Sequence, residues 1–161
     1  MHASDVIHAA LTDTKGNLNW YVSDLSDADL LVRPVPMANH IAWQLGHLIV
    51  AEKQLGGMVP GFVYAELPAG YKELYSKEGA GKDQGFEKKA VYVDLFNKMR
   101  DTTLAAVSKL NDADLDKPTQ GPIAPFAPKL GDLFNLQAHH ALMHAGQFTV
   151  VRRKLDKPVL F

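Results

Sequence analysis

The stretch Leu25-Ser-Asp-Ala-Asp-Leu30 returns 85 residues later as Leu110-Asn-Asp-Ala-Asp-Leu115, with five of six residues identical. A stripe of mostly apolar residues ends at the first residue of each copy. The members of each stripe are three or four positions apart, as on one face of an α-helix. The stripes are Ile7, Leu11, Thr14, Leu18, Tyr21 and Leu25, and then Tyr92, Phe96, Met99, Thr103, Ala106 and Leu110. The repeat therefore spans a whole predicted helix in each half of the chain.

A second helix is predicted downstream of each copy. Asn39 is suited to cap a helix over about 40–55, which Gly56 and Gly57 end. Asp132 is suited to cap a helix that runs to about residue 155. The sequence therefore predicts four long helices in two similar pairs.

Glycine and proline mark the connections between these helices. The stretch 56–85 contains seven of the twelve glycines and is too broken for one long helix, so we expect only a short helical piece at 71–76. A second irregular loop, 117–129, carries four prolines. Two helix pairs joined by a crossover predict one all-α domain over 1–161, a four-helix bundle with a pseudo-two-fold axis. An ordinary up-down bundle is the alternative.

Composition limits the classes of function. The chain has 161 residues, 47% of them apolar, and a formal net charge of −1, which gives no electrostatic footprint for nucleic acid. It has no cysteine, so disulfides are excluded and a metal would need His, Asp, Glu or water as ligands. We find neither a signal peptide nor an apolar stretch long enough for a bilayer, and we expect a cytoplasmic protein.

Three histidines form a candidate metal site. His140 and His144 lie one helical turn apart and share a helix face. His47 follows Asn39 by eight residues, as His140 follows Asp132, so the repeat places His47 at the equivalent point of the other half. Three imidazoles leave a coordination position open for chemistry. The alternative is that these histidines have unrelated structural roles.

Two glutamines and four other histidines have weaker claims. Gln147 and Gln44 each lie within a turn of a candidate ligand, where an amide can orient the ligand or pack between helices. The ferritin-like Glu-x-x-His pattern, the His-Glu-x-x-His of zinc proteases and the serine elbow are all missing. No role is assigned to His2, His8, His40 and His139.

The stretches Asn39-His-Ile-Ala-Trp-Gln-Leu-Gly-His-Leu48 and His140-Ala-Leu-Met-His-Ala-Gly-Gln147 resemble the DinB-like (YfiT-like) superfamily over nearly the whole chain. The resemblance implies a four-helix bundle in up-up-down-down order. It also implies a three-histidine site for a divalent metal, often nickel or zinc, and the matching residues are His47, His140 and His144. Related branches use low-molecular-weight thiols, and many members form homodimers.

Three functions remain open from the sequence. The first is a metal-dependent hydrolase or thiol-dependent S-transferase that acts on a small molecule, with the metal polarising water or a thiol. The second is a non-catalytic protein that binds metal or a small ligand, and the third is a structural dimer without metal. Four aromatic residues of the crossover are expected either to cover the site or to pack against the bundle: Phe62, Tyr64, Tyr71 and Tyr75.

Overall fold

The computed structural model describes residues 2–160, and this part of the chain is helical without any β-strand. The helices are α1 (Ala3–Val22), α2 (Ile41–Gly56), α3 (Tyr71–Leu74), α4 (Lys89–Val107), α5 (Asp112–Leu115) and α6 (Leu130–Lys154). The four long helices, α1, α2, α4 and α6, pack as a four-helix bundle, and the short α3 lies in the crossover where a helical piece was predicted.

The helices α1 and α4 run antiparallel. Asn19 donates to Asn97 at 2.8 Å, and one turn earlier on α1 Lys15 pairs with Asp101, one turn later on α4. Residue numbers therefore fall along α4 as they rise along α1.

The helices α1 and α6 run parallel. Ile7 lies against Gly131 near the start of both helices, and the Arg152 guanidinium donates to the Tyr21 carbonyl at 2.8 Å near the end of both. The antiparallel pairing of α2 with α6 is equally clear, because α2 meets α6 first near residue 144 and later near residue 137.

The helix directions are therefore up, down, down, up, and not the up-up-down-down order that the resemblance implied. The short connection 23–40 reverses the chain between α1 and α2. The longer connection 57–88 returns along the bundle, so α4 runs in the same direction as α2. This long return is the crossover that the glycine-rich stretch predicted.

The repeated six-residue stretch forms the turn that follows α1 and the turn that follows α4. In the first copy the Ser26 and Asp29 side chains accept hydrogen bonds from each other's backbone N–H, at 3.1 Å and 2.8 Å. In the second copy Asn111 and Asp114 make the same reciprocal pair, at 3.0 Å and 3.1 Å. Both copies thus make the reciprocal hydrogen bonds of a capping box, and a short helix follows in each, Asp29–Leu31 in the first copy and α5 in the second. The sequence analysis did not predict these short helices.

Both predicted caps of the second helices were misplaced. The N-cap of α2 is His40, whose Nδ1 accepts from the backbone N–H of Trp43 at 3.0 Å, and Asn39 lies one residue earlier. The N-cap of α6 is Lys129, and Asp132 accepts from its backbone N–H at 3.0 Å as the third helical residue. A side chain that reaches back from inside the first turn looks like a cap in sequence.

Most of the predicted stripe residues are buried, including Leu11 and Leu18 on α1 and Phe96 and Met99 on α4. The exceptions are Ala106 and Leu110, which are half-buried. No helix within 2–160 combines the length and hydropathy that crossing a membrane requires.

Candidate metal centre

Three imidazoles converge between α2 and α6. One ring nitrogen from each of His47, His140 and His144 lies within 4.8 Å of the others. The Nε2 atoms of His140 and His144 are 3.2 Å apart. Two nitrogens bound to one tetrahedral metal at about 2.0–2.1 Å are about 3.3 Å apart. The pair on α6 is therefore already spaced as two ligands of one ion.

The His144 ring is held from α2. Its Nδ1 lies 2.7 Å from Oε1 of Gln44, and the Gln44 side-chain amide donates to the Asn39 carbonyl at 2.9 Å. Because the Asn39 carbonyl is only an acceptor, the Gln44 NH₂ faces it and the amide oxygen faces the imidazole. His144 Nδ1 therefore carries the proton, and Nε2 presents its lone pair to the other two rings.

The His47 ring is fixed by its own helix and by the crossover. It stacks on the Trp43 indole with ring centroids 4.9 Å apart and planes 7° from parallel. Trp43 in turn donates from Nε1 to the Ser76 carbonyl at 3.1 Å. Ser76, just after α3, is thus tied to the ring that stacks on a candidate ligand.

Gly46 makes this approach of the crossover possible. A Cβ atom at position 46 would lie 2.1 Å from Cδ1 of Tyr75, whose ring is fully buried. The Tyr75 hydroxyl lies 2.7 Å from that of Tyr92 on α4, so the Tyr75 ring cannot move away from α2 without breaking this hydrogen bond. Glycine at position 46 therefore lets Tyr75 pack flat against α2.

The electrostatics of the cluster favour neutral imidazoles. Burial, with smaller effects of His47 and Arg100, lowers the pKa of His140 to about 4. Burial, with the effects of His140 and His47, lowers the pKa of His144 to about 3. Burial also lowers the pKa of His47, against the opposing effect of the Tyr75 backbone. Neutral imidazole is the form that binds a metal, so the cluster is ready to accept one at pH 7.

A buried polar network that the sequence analysis missed lies deeper in the bundle. Arg100 and Glu52 form a two-pronged ion pair, with N–O distances of 2.8 Å and 3.0 Å, and both side chains are buried. Thr103 donates to Glu52 at 2.6 Å, and Arg100 donates to Thr14 at 2.8 Å. This network ties α1, α2 and α4 together beneath the imidazoles. Its only sequence signal is a charge on an otherwise apolar helix face.

The two candidate glutamines differ in burial and in their contacts. Gln44 is buried and contacts the candidate ligand His144, whereas Gln147 on α6 is exposed. Of the remaining histidines, His40 is the buried cap of α2 and His139 is exposed. The crossover aromatics mainly pack: Tyr64, Tyr71 and Tyr75 are buried in the core, and Phe62 stacks on Phe134.

Comparison with known proteins identifies the family. Residues 10–148 match the DinB superfamily. The chain belongs to the DinB superfamily. No curated protein matches the chain significantly.

Two solved structures are similar in fold to this chain. YfiT from Bacillus subtilis, described as a probable metal-dependent hydrolase with an unusual four-helix bundle topology, superposes with a TM-score of 0.70 at 14% identity, covering 96% of this chain and 89% of that one. A conserved protein from Enterococcus faecalis superposes with a TM-score of 0.69 at 13% identity, covering 98% and 99% of the two chains. At this level of identity the similarity establishes the fold alone.

Proposed function

We propose that the protein is a metal-dependent hydrolase that binds one divalent transition metal, nickel or zinc, through His47, His140 and His144. The observation that carries the proposal is the convergence of three neutral imidazoles, with two Nε2 atoms 3.2 Å apart and all three ligand nitrogens within 4.8 Å. The donor set and its spacing fit such an ion.

Three protein ligands are typical of a catalytic site, because a fourth would close it. When bound, the metal supplies a Lewis acid and lowers the pKa of a coordinated water towards neutrality. Within 2–160 no carboxylate joins the imidazole cluster, so the protein contributes ligands that are already oriented and no separate base among them. Gln44 and the Trp43 indole hold two of the rings in place.

A groove of a size suited to a small molecule lies between α2 and the crossover. Its volume is about 440 Å³, within the range of small-molecule sites. Val50, one helical turn beyond His47, is among its lining residues, together with Leu67, Pro68 and Tyr71 of the crossover, but none of the three imidazoles lines it.

The proposal is tested by turnover with defined metal content. Protein loaded with zinc or nickel is assayed against esters, amides and thiol conjugates, with His140→Ala as the inactive variant and His139→Ala as the matched control. We expect hydrolysis by the wild type and by His139→Ala, and loss of at least a hundredfold in His140→Ala. Turnover of thiol conjugates alone would indicate an S-transferase. A fully metal-loaded protein that turns over nothing in the panel would refute the hydrolase and favour a binding role.

A further inference from the structure

We infer that Gln44 is a positioning residue of the metal centre, because it holds the proton of His144 on Nδ1 and so leaves the Nε2 lone pair for a metal. The inference rests on the proposed metal site. The 3.2 Å separation of the His140 and His144 Nε2 atoms suits a shared metal, but it equally suits a hydrogen bond between one protonated nitrogen and one lone pair. His144 can act as a ligand through Nε2 only when its proton lies on Nδ1.

A neutral imidazole carries its proton on one nitrogen or the other. With the proton on Nε2, His144 would donate to Nε2 of His140 and neither atom would offer a lone pair to a metal. With the proton on Nδ1, His144 presents its Nε2 lone pair, and His140 does the same when its own proton lies on Nδ1. The tautomer that occupies Nδ1 is therefore the one competent to bind.

Gln44 selects this tautomer. Its amide oxygen lies 2.7 Å from His144 Nδ1 and accepts that proton's hydrogen bond. Rotation of the amide by half a turn would point NH₂ at the imidazole and face two acceptors, the amide oxygen and the Asn39 carbonyl, towards each other. Gln44 is only 1% exposed, so no water competes freely for these groups. The buried Gln44 amide thus has one orientation, and this orientation fixes the proton of the His144 imidazole on Nδ1.

The repeat provides a matched residue that lacks this role. Gln44 precedes His47 by three residues, and Gln137 precedes His140 by three residues in the other half. Gln137 is 2% exposed, so the two amides are equally buried. The Gln137 side chain donates to the Glu52 carbonyl at 3.2 Å, and its Oε1 has no hydrogen-bond partner within 2–160. The same residue type at the same spacing therefore contacts an imidazole in one half only.

Three variants separate positioning from packing. Gln44→Leu keeps approximate size but removes the acceptor, Gln44→Glu restores an acceptor, and Gln137→Leu alters an equally buried glutamine without touching a ligand. Zinc affinity is measured by competition with a chromophoric chelator at pH 8. We expect a loss of about 10–100-fold in Gln44→Leu, the usual effect of removing such a partner. Gln137→Leu is expected to stay within about threefold of the wild type. Gln44→Glu is expected to lose less affinity than Gln44→Leu, because its carboxylate keeps an acceptor towards Nδ1 although it also faces the Asn39 carbonyl.

The tautomer itself is read from ¹⁵N chemical shifts of the histidine side chains in metal-free protein. The wild type and Gln137→Leu are expected to show the proton of His144 on Nδ1, and Gln44→Leu is expected to show it on Nε2. This reading needs no bound metal, so it distinguishes failure of the Gln44 inference from failure of the proposed function.

Three results would overturn the inference. They are a proton on Nε2 in the metal-free wild type, an unchanged zinc affinity in Gln44→Leu, and an equal loss of affinity in Gln137→Leu. If Gln44→Leu does not fold, the wild-type spectrum and Gln44→Glu still decide, because the wild-type tautomer alone contradicts or supports the assignment.

Discussion

Replacement of Gly46 by alanine tests the contact that ties the crossover to the metal centre. The added Cβ would lie 2.1 Å from Cδ1 of Tyr75, far inside van der Waals contact. The buried Tyr75 ring cannot swing away without losing its hydroxyl contact with Tyr92. Overpacking of this kind costs about 1–3 kcal/mol, against the gain of about 0.5–1 kcal/mol that alanine brings to a helix interior. We expect a net loss of about 1–2 kcal/mol in the free energy of unfolding.

The matched control for this prediction is Gly16→Ala in α1. Gly16 is exposed in the middle of a helix and a Cβ there would meet nothing within 4 Å, so alanine should stabilise by about 0.5–1 kcal/mol. Urea unfolding of metal-free protein measures both variants. Because Ser76, next to Tyr75, accepts from the Trp43 indole that stacks on His47, Gly46→Ala should weaken zinc binding and Gly16→Ala should not. Equal stabilisation by both alanines would refute the packing argument.

Two further predictions concern buried polar groups. Arg100→Met should lower the free energy of unfolding by about 3–5 kcal/mol, because it leaves the Glu52 carboxylate buried without its partner. In a urea double-mutant cycle, adding Glu52→Gln to this variant should recover part of that loss. Simple additivity of the two losses would contradict this prediction. Burial lowers the pKa of His40, so the unfolded chain takes up its proton first as the pH falls through about 6.5, and stability is lost on acidification. His40→Asn keeps an N-cap acceptor for the backbone N–H of Trp43 but cannot take up a proton in this pH range. It should therefore reduce the pH dependence of the unfolding free energy between pH 7.5 and 5.5 by up to about 1.4 kcal/mol per pH unit. An unchanged slope would rule this out.

Periodicity predicted the four long helices because burial of one face imposes it directly. The stripe through Leu11 and Leu18 and its copy through Phe96 and Met99 are buried as expected. The order of helix directions was wrong, since it depends on how far each connection travels. A glycine-rich stretch marks a connection without recording whether it reverses the chain or returns along it.

The three candidate ligands were chosen from helical spacing and from the repeat, because both describe relations within a helix or between equivalent helices. The groups that hold the ligands were less visible. Gln44 contacts a histidine 100 residues away in the sequence, and the Trp43 indole beside His47 is held by the backbone carbonyl of Ser76, which no residue type reveals. The buried Glu52 and Arg100 pair likewise depends on two helices whose contact the sequence does not record.

The central claim is that His47, His140 and His144 bind one metal ion. Anomalous diffraction from crystals grown with zinc or nickel tests it most directly. We expect one peak at about 2.0–2.2 Å from a ring nitrogen of each of the three histidines. No peak between these three side chains, with the metal absent or bound only elsewhere, would contradict the account.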